Sequence, residues 1–234
     1  NSDAGGRFYN QRGATAANFQ DCFSMGWPGR MQTKFSRKVV LSVVKTYEDQ
    51  EFNQVTQGAT ELSDQKFVDC QFNNCRFEGL SLTNVQLQEC SFSHCTIANV
   101  TTTFSAGRNL QFEQCNLIGI SWGELVIDKY SLVIDRLTNS LLKYNNFIGM
   151  ELPNFSFTTN EILNSNFEDC NLQKAQFNGC ELADTQFISD DLWRADFTAA
   201  HNYFVDLQTN RIEKASFSFP DVMGLLESLD IKIK

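Results

Sequence analysis

Large apolar residues recur along this chain at every fifth position, and the register holds over most of its length. From Leu62 to Phe197 the residues whose numbers end in 2 or 7 make 28 positions, and 26 of them are Phe, Leu, Ile or Trp. A hydrophobic content of 42% would place about 12 there by chance. The two exceptions, Thr102 and Gly107, are neighbours in the series. A period of five suits neither regular element. Five residues turn about 500° around a helix, which sends successive large side chains to different faces. Along a straight strand, alternation sends every fifth residue to the opposite side. All the large residues point one way only if the chain turns a corner once per repeat. Four corners close a square coil of about twenty residues, and stacked coils pair through their backbones about 4.8 Å apart. The predicted core is therefore a stack that includes Phe67, Phe72, Phe77, Phe92, Phe147, Phe157, Phe167, Phe177, Phe187 and Phe197, with Phe177 between Phe157 and Phe197.

The flanking positions agree. Two residues before each large one the chain prefers slim side chains, among them Cys70, Cys75, Cys90, Ser165, Ala175 and Thr185. Two residues after it come turn formers such as Gly79, Asn84, Asn99, Gly119, Asp169 and Asp184. Units such as Cys170-Asn171-Leu172-Gln173-Lys174 and Ala195-Asp196-Phe197-Thr198-Ala199 resemble the repeat of the pentapeptide-repeat family. That resemblance implies an all-β solenoid: a right-handed quadrilateral β-helix of about seven coils.

The repeat divides the chain into residues 1–51 without register, a repeat body at 52–200, and a tail at 201–234. The first part begins at Asn1 rather than Met, as a fragment or processed form does. Its basic stretch Arg30–Lys45 reads as a capping strand around Val39–Val44, a flexible leader, or a basic arm. Inside the body, Ala98–Gln111 reads as an outward loop, because Thr102 and Gly107 replace core residues. At Trp122–Asn146 the large positions persist while their slim partners become Leu125, Tyr130 and Asp135, which predicts a distorted coil. In the tail, Pro220 and Asp221 suit a helix start, and Val222, Leu225, Leu226 and Leu229 make one apolar face. A short C-terminal α-helix is expected there, closing the solenoid end.

Composition narrows the chemistry. The chain carries eight Cys, and all but Cys22 fall at the slim position of the repeat, where a thiol serves as a small buried hydrophobe. Their spacing does not match the common zinc knuckle, so no metal or cofactor is expected. So many unpaired thiols favour a reducing, cytoplasmic location. His94 and His201 are the only histidines, and no nucleophile elbow, phosphate loop or zincin motif is present, so no catalytic residues are assigned and an enzyme is not expected. No apolar run is long enough to span a membrane.

Charge is unevenly placed: residues 1–45 carry +5 and residues 46–234 carry −14. An acidic body disfavours direct nucleic-acid binding and suits a basic partner. Strict twenty-residue phasing puts Leu62, Leu82, Trp122, Leu142, Ile162 and Leu182 on one face. The outward residues of that face include Glu61, Asp64, Glu124, Glu161, Glu181 and Asp184, opposed only by Lys143, which marks a candidate partner face. The tail, from Asn202-Tyr203-Phe204 to Leu229-Asp230-Ile231, is similar to the ends of bacterial quinolone-resistance pentapeptide proteins. That resemblance implies a homodimer joined through the C-terminal helix. It also implies a DNA mimic that binds DNA gyrase or topoisomerase IV and protects or modulates it. In that subgroup activity depends on projecting loops, for which Ala98–Gln111 is the candidate. The other reading is an interaction scaffold with a different protein partner.

Overall fold

The computed structural model describes residues 44–125 and 131–229. The capping, leader and arm readings of residues 1–43, and Cys22, lie outside the described residues. Short parallel strands stack coil upon coil into a β-solenoid of about eight turns, the number of steps from Phe52 to Phe217. Coiling is already under way at Lys45–Glu48, which pairs with Gln65–Val68, and it continues past residue 200 to Ser216–Phe217.

Corners explain why this sequence coils. At residues numbered in 4 or 9 the backbone turns left-handed, with φ of 54° at Asp64, 52° at Asp69 and 49° at Asn164. Asn, Asp and Gly tolerate that conformation best, which is why they recur there. The stack also forces it on Phe104, Tyr144, Lys174 and Arg194, at φ of 53–59°. Such corners are held by cross-coil backbone bonds, for example Asp69 N–H donating to Gln88 O at 3.0 Å.

The slim positions form buried polar slots. Their side chains donate to a carbonyl of the coil below: Cys75 Sγ to Phe52 O (3.4 Å), Thr185 Oγ1 to Ile162 O (2.7 Å) and Asn210 Nδ2 to Phe187 O (2.7 Å). Asn160 Oδ1 and Asn210 Oδ1 also accept the N–H of the slot residue one coil below, Ser140 and Asp190. Buried backbone groups at the corners are thereby paired. Cys70, Cys75, Cys90, Cys95, Cys115, Cys170 and Cys180 are all buried and unbridged.

Aromatic rings fill the axis. All ten Phe of the expected stack are buried. Phe177 lies parallel between Phe157 and Phe197, with centroids at 4.7 and 4.8 Å. It also meets Phe167 and Phe187 edge-on, at 5.8 and 5.3 Å.

Three expectations are corrected. Ala98–Gln111 does not loop out: Thr101–Thr103 and Ala106–Arg108 both pair with Ser81–Gln88. Gly107 faces inward, and a Cβ there would lie 3.0 Å from Leu110 and 3.2 Å from Val133, so neighbours occupy the space its missing side chain leaves. Second, the irregular coil is longer than the rest. Coils pair at an offset of 20 up to Ile118↔Ala98, but Leu141 pairs with Asn116 and Asn146 with Ser121, an offset of 25. One extra repeat is inserted after the 3-10 turn Trp122–Leu125, and Leu132 is exposed while Val133 and Ile134 are buried. Third, the C-terminal helix is of 3-10 type over Asp221–Leu229 rather than α. Leu225 is buried and Val222 packs against the core, while Leu229 and Met223 are exposed. No helix among the described residues is long and apolar enough to cross a membrane.

Candidate functional site

The five extra residues shift every later residue by one face relative to a strict twenty-residue phasing. Four columns result, named here for an early inward residue of each. The Leu62 column runs through Leu82, Thr102, Trp122, Phe147, Phe167 and Phe187 to Val205. Leu142, Ile162 and Leu182 stack instead above Leu117 on the Phe77 column. The expected acidic face is therefore split. Glu61, Asp64 and Glu124 stay on the Leu62 face, whereas Glu161, Glu181 and Asp184 stand on the adjacent Phe77 face. Glu161 and Glu181 do occupy the same rung position one coil apart.

The rotation brings other carboxylates into place. Glu168, Asp169 and Asp206 join Glu61, Asp64 and Glu124, and among the described residues no Lys or Arg occupies an outward position of this face. Two of the six, Asp64 and Asp169, are corner residues whose left-handed backbone suits Asp, so conformation and charge are specified together. Neutral donors hold several of them: Asn84 Nδ2 donates to Asp64 at 2.6 Å, Thr102 Oγ1 to Glu124 at 3.1 Å, and Gln208 N–H to Asp206 at 2.8 Å. Exposed Ile148 and Ile188 flank Glu168 on the same face, with Phe204 beyond. The arrangement is a column of unpaired carboxylates with apolar steps between them. It can bind a basic surface.

The buried ionisable groups belong to the slots. Among the described residues no three His, Cys, Asp or Glu side chains are grouped to hold a metal ion. Burial pushes the Cys180 thiol up to about 11, and burial together with neighbouring Asp190 pushes Cys170 up to about 12. Asp190 is the one carboxylate inside a slot. Its Oδ1 accepts the Cys170 N–H at 2.8 Å, its Oδ2 has no partner, and burial raises its pKa to about 7.

No curated protein matches the chain in sequence. Two solved structures of QnrB1, described as a plasmid-mediated fluoroquinolone resistance protein, share its fold. A trypsin-treated variant aligns with a TM-score of 0.53 at 13% identity, covering 79% of this chain and 99% of that one. The full-length form aligns with a TM-score of 0.52 at 14% identity, covering 77% and 100%. The profile of the family described as Pentapeptide repeats matches eight copies, over residues 61–101 and 165–201. These stretches fall on either side of the inserted repeat, each holding the slim, inward and corner positions just described. Those two stretches are pentapeptide repeats, and the chain is a pentapeptide-repeat solenoid.

Proposed function

We propose that this protein is a non-enzymatic, protein-binding solenoid whose Leu62 face docks a basic surface on its partner. The observation that carries this reading is the column of six carboxylates with no intervening cation. Seven coil steps at about 4.8 Å span roughly 34 Å, so the column presents about one charge per 6 Å of axis. Duplex DNA presents one per about 1.7 Å. The column therefore matches a local basic patch made for nucleic acid better than it imitates a whole duplex. DNA gyrase and topoisomerase IV, enzymes with such surfaces, are the first partners to test, and QnrB1 lends the idea a precedent in fold. The sparse charge also favours a second reading, an interaction scaffold for another basic protein.

Pairing of two copies end to end is part of the proposal. Phe219, Met223 and Leu229 are exposed around the C-terminal 3-10 helix, an apolar rim left after Leu225 packs inward. A monomer in sedimentation would contradict that pairing. The functional test is a gyrase supercoiling assay with titrated protein, with and without a fluoroquinolone. Binding predicts either inhibition alone or restored supercoiling under the drug. No change at excess protein removes gyrase and leaves the scaffold reading.

A further inference from the structure

On the Phe67 face the last coils reverse the charge of the molecule. Lys174, Arg194 and Lys214 occupy the same corner position in successive coils, all with left-handed backbone, at φ of 58°, 59° and 64°. Their backbones are tied together: Lys174 N–H donates to Trp193 O at 2.8 Å, and Arg194 N–H to Glu213 O at 3.1 Å. All three cations crowd the half-exposed indole of Trp193, at 4.5 Å from its centroid for Arg194, 5.7 Å for Lys174 and 5.8 Å for Lys214. Arg211 completes the group at 6.0 Å.

Only one of the four cations is neutralised. Arg211 holds Asp191 through Nη1 at 2.9 Å and Glu213 through Nε at 3.2 Å. Among the described residues no carboxylate forms an ion pair with Lys174, Arg194 or Lys214. Three like charges one coil apart repel one another, and a half-exposed indole attracts each of them only weakly. An anion laid along the column would relieve that repulsion.

We propose that the Lys174–Arg194–Lys214 column with Trp193 is a docking site for an acidic, extended polypeptide segment of a partner protein. Carboxylate is the chemistry this cluster already accepts, as Asp191 and Glu213 on Arg211 demonstrate. The dimensions fit as well. The three rungs span about 10 Å, and alternate side chains of an extended strand are about 7 Å apart, so two or three acidic residues reach all the cations. Trp193 offers an apolar surface for the residue between them. Duplex nucleic acid fits poorly, because its phosphates run on along the surface. Running on, they would meet Asp191 and Glu213 beside the cations on this face, and Glu168 and Asp169 on the next.

The test uses the full chain and a fluorescein-labelled octaglutamate peptide, followed by anisotropy at low ionic strength. Saturable binding is expected, weakened at least about tenfold in the Lys174→Ala, Arg194→Ala, Lys214→Ala triple variant. A control triple of Lys66→Ala, Arg108→Ala and Arg136→Ala, which removes equal charge elsewhere, should bind as the parent does. Melting curves of both variants check that these exposed changes leave the fold intact. Absence of binding to the parent, or equal loss in both triples, overturns the proposal. Competition by a short DNA duplex as effective as unlabelled peptide would make the column a general polyanion site and overturn it too.

Discussion

The coils before the inserted repeat and those after it follow one pattern but close their cores differently. In residues 45–118 one column is continuous in stacked Phe, from Phe52 through Phe72 and Phe92 to Phe112 at 4.7–5.0 Å. The opposite column, that of Leu62, holds Leu, Leu and Thr, and Leu87 and Ile97 on other columns stay partly exposed. An apolar cavity of about 80 Å³ remains among Leu62, Phe67, Leu82, Leu87, Ile97 and Val100. After the insertion, two opposite columns, those of Leu62 and Phe72, are both Phe. Phe147–Phe167–Phe187 and Phe157–Phe177–Phe197 stack within themselves and meet edge-on at 5.3–6.1 Å. Parallel stacking within a column and edge-on contact between columns are both favoured geometries. The repeat thus specifies the coil, while the choice of ring or aliphatic side chain on opposite columns specifies how the axis is filled.

That contrast is broken most sharply by removing a ring from each half. Phe177→Ala should cost about 3–5 kcal/mol, because four rings close around it and none can collapse inward. Leu82→Ala, beside the existing cavity, should cost nearer 2 kcal/mol, the low end for such truncations. Chemical denaturation of the two variants checks the difference, and equal losses would mean that the two halves are equally packed.

The second difference lies in the slots. Five of the seven buried Cys lie in the early slots, among Val and Leu, whereas the later slots mix Ser, Asn, Thr, Ala, two Cys and the single acid Asp190. The slots below and above donate to a carbonyl, Cys170 Sγ to Phe147 O and Asn210 Nδ2 to Phe187 O. Asp190 fills the slot between them, and its buried Oδ2 has no partner. Burial, with nothing to donate to that oxygen, favours the neutral form of the acid. Its folded pKa of about 7 lies above the ordinary 3.8, so the folded state binds the proton more tightly. The stability it supports is complete below pH ~4 and declines through pH ~7, by an amount on the order of 3–4 kcal/mol. Asp190→Asn should remove that decline and be the more stable protein at pH 8. A variant whose melting temperature falls with pH as the parent's does would contradict this role.

The smallest effect tests the joint between the halves. A Cβ at Gly123 would lie 2.6 Å from the carbonyl oxygen of Ile148, where the 3-10 turn crosses the next coil. Gly123→Ala should cost about 1–3 kcal/mol by forcing the turn away. The corresponding change at Gly179, with no atom within 4 Å of a built Cβ, meets only the strain of its positive φ of 73°. Thermal unfolding of the two variants compares a crowded glycine with an open one.

The period of five was legible because each unit specifies its own corner, slot and inward residue. Phe177 could be placed between Phe157 and Phe197 because no irregularity separates them. Phase was not legible. An insertion of one whole repeat preserves the register modulo five while rotating all that follows by a quarter turn. Leu132 kept the pattern although it points outward, and so Glu161, Glu181 and Asp184 were assigned to the wrong face while Glu168 and Asp169 were missed. The longer slot residues Leu125 and Asp135 were the available signal that the coil changes length there. Thr102 and Gly107 misled in the opposite direction: the backbone closes around them because corners Phe104 and Asn109 still turn left-handed.

The rotated column is the centre of the functional proposal, and paired charge reversals probe it directly. Glu61→Lys, Glu168→Lys and Asp169→Lys reverse the Leu62 face, while Glu51→Lys, Glu113→Lys and Asp196→Lys reverse an equal number of charges on the Phe72 face. Binding of both triple variants to DNA gyrase, measured beside the parent, separates a specific face from net charge. The first triple should bind at least about tenfold more weakly and the second like the parent. Equal affinity of the two triples, or a parent that does not bind gyrase, would contradict the assignment of this face to that partner.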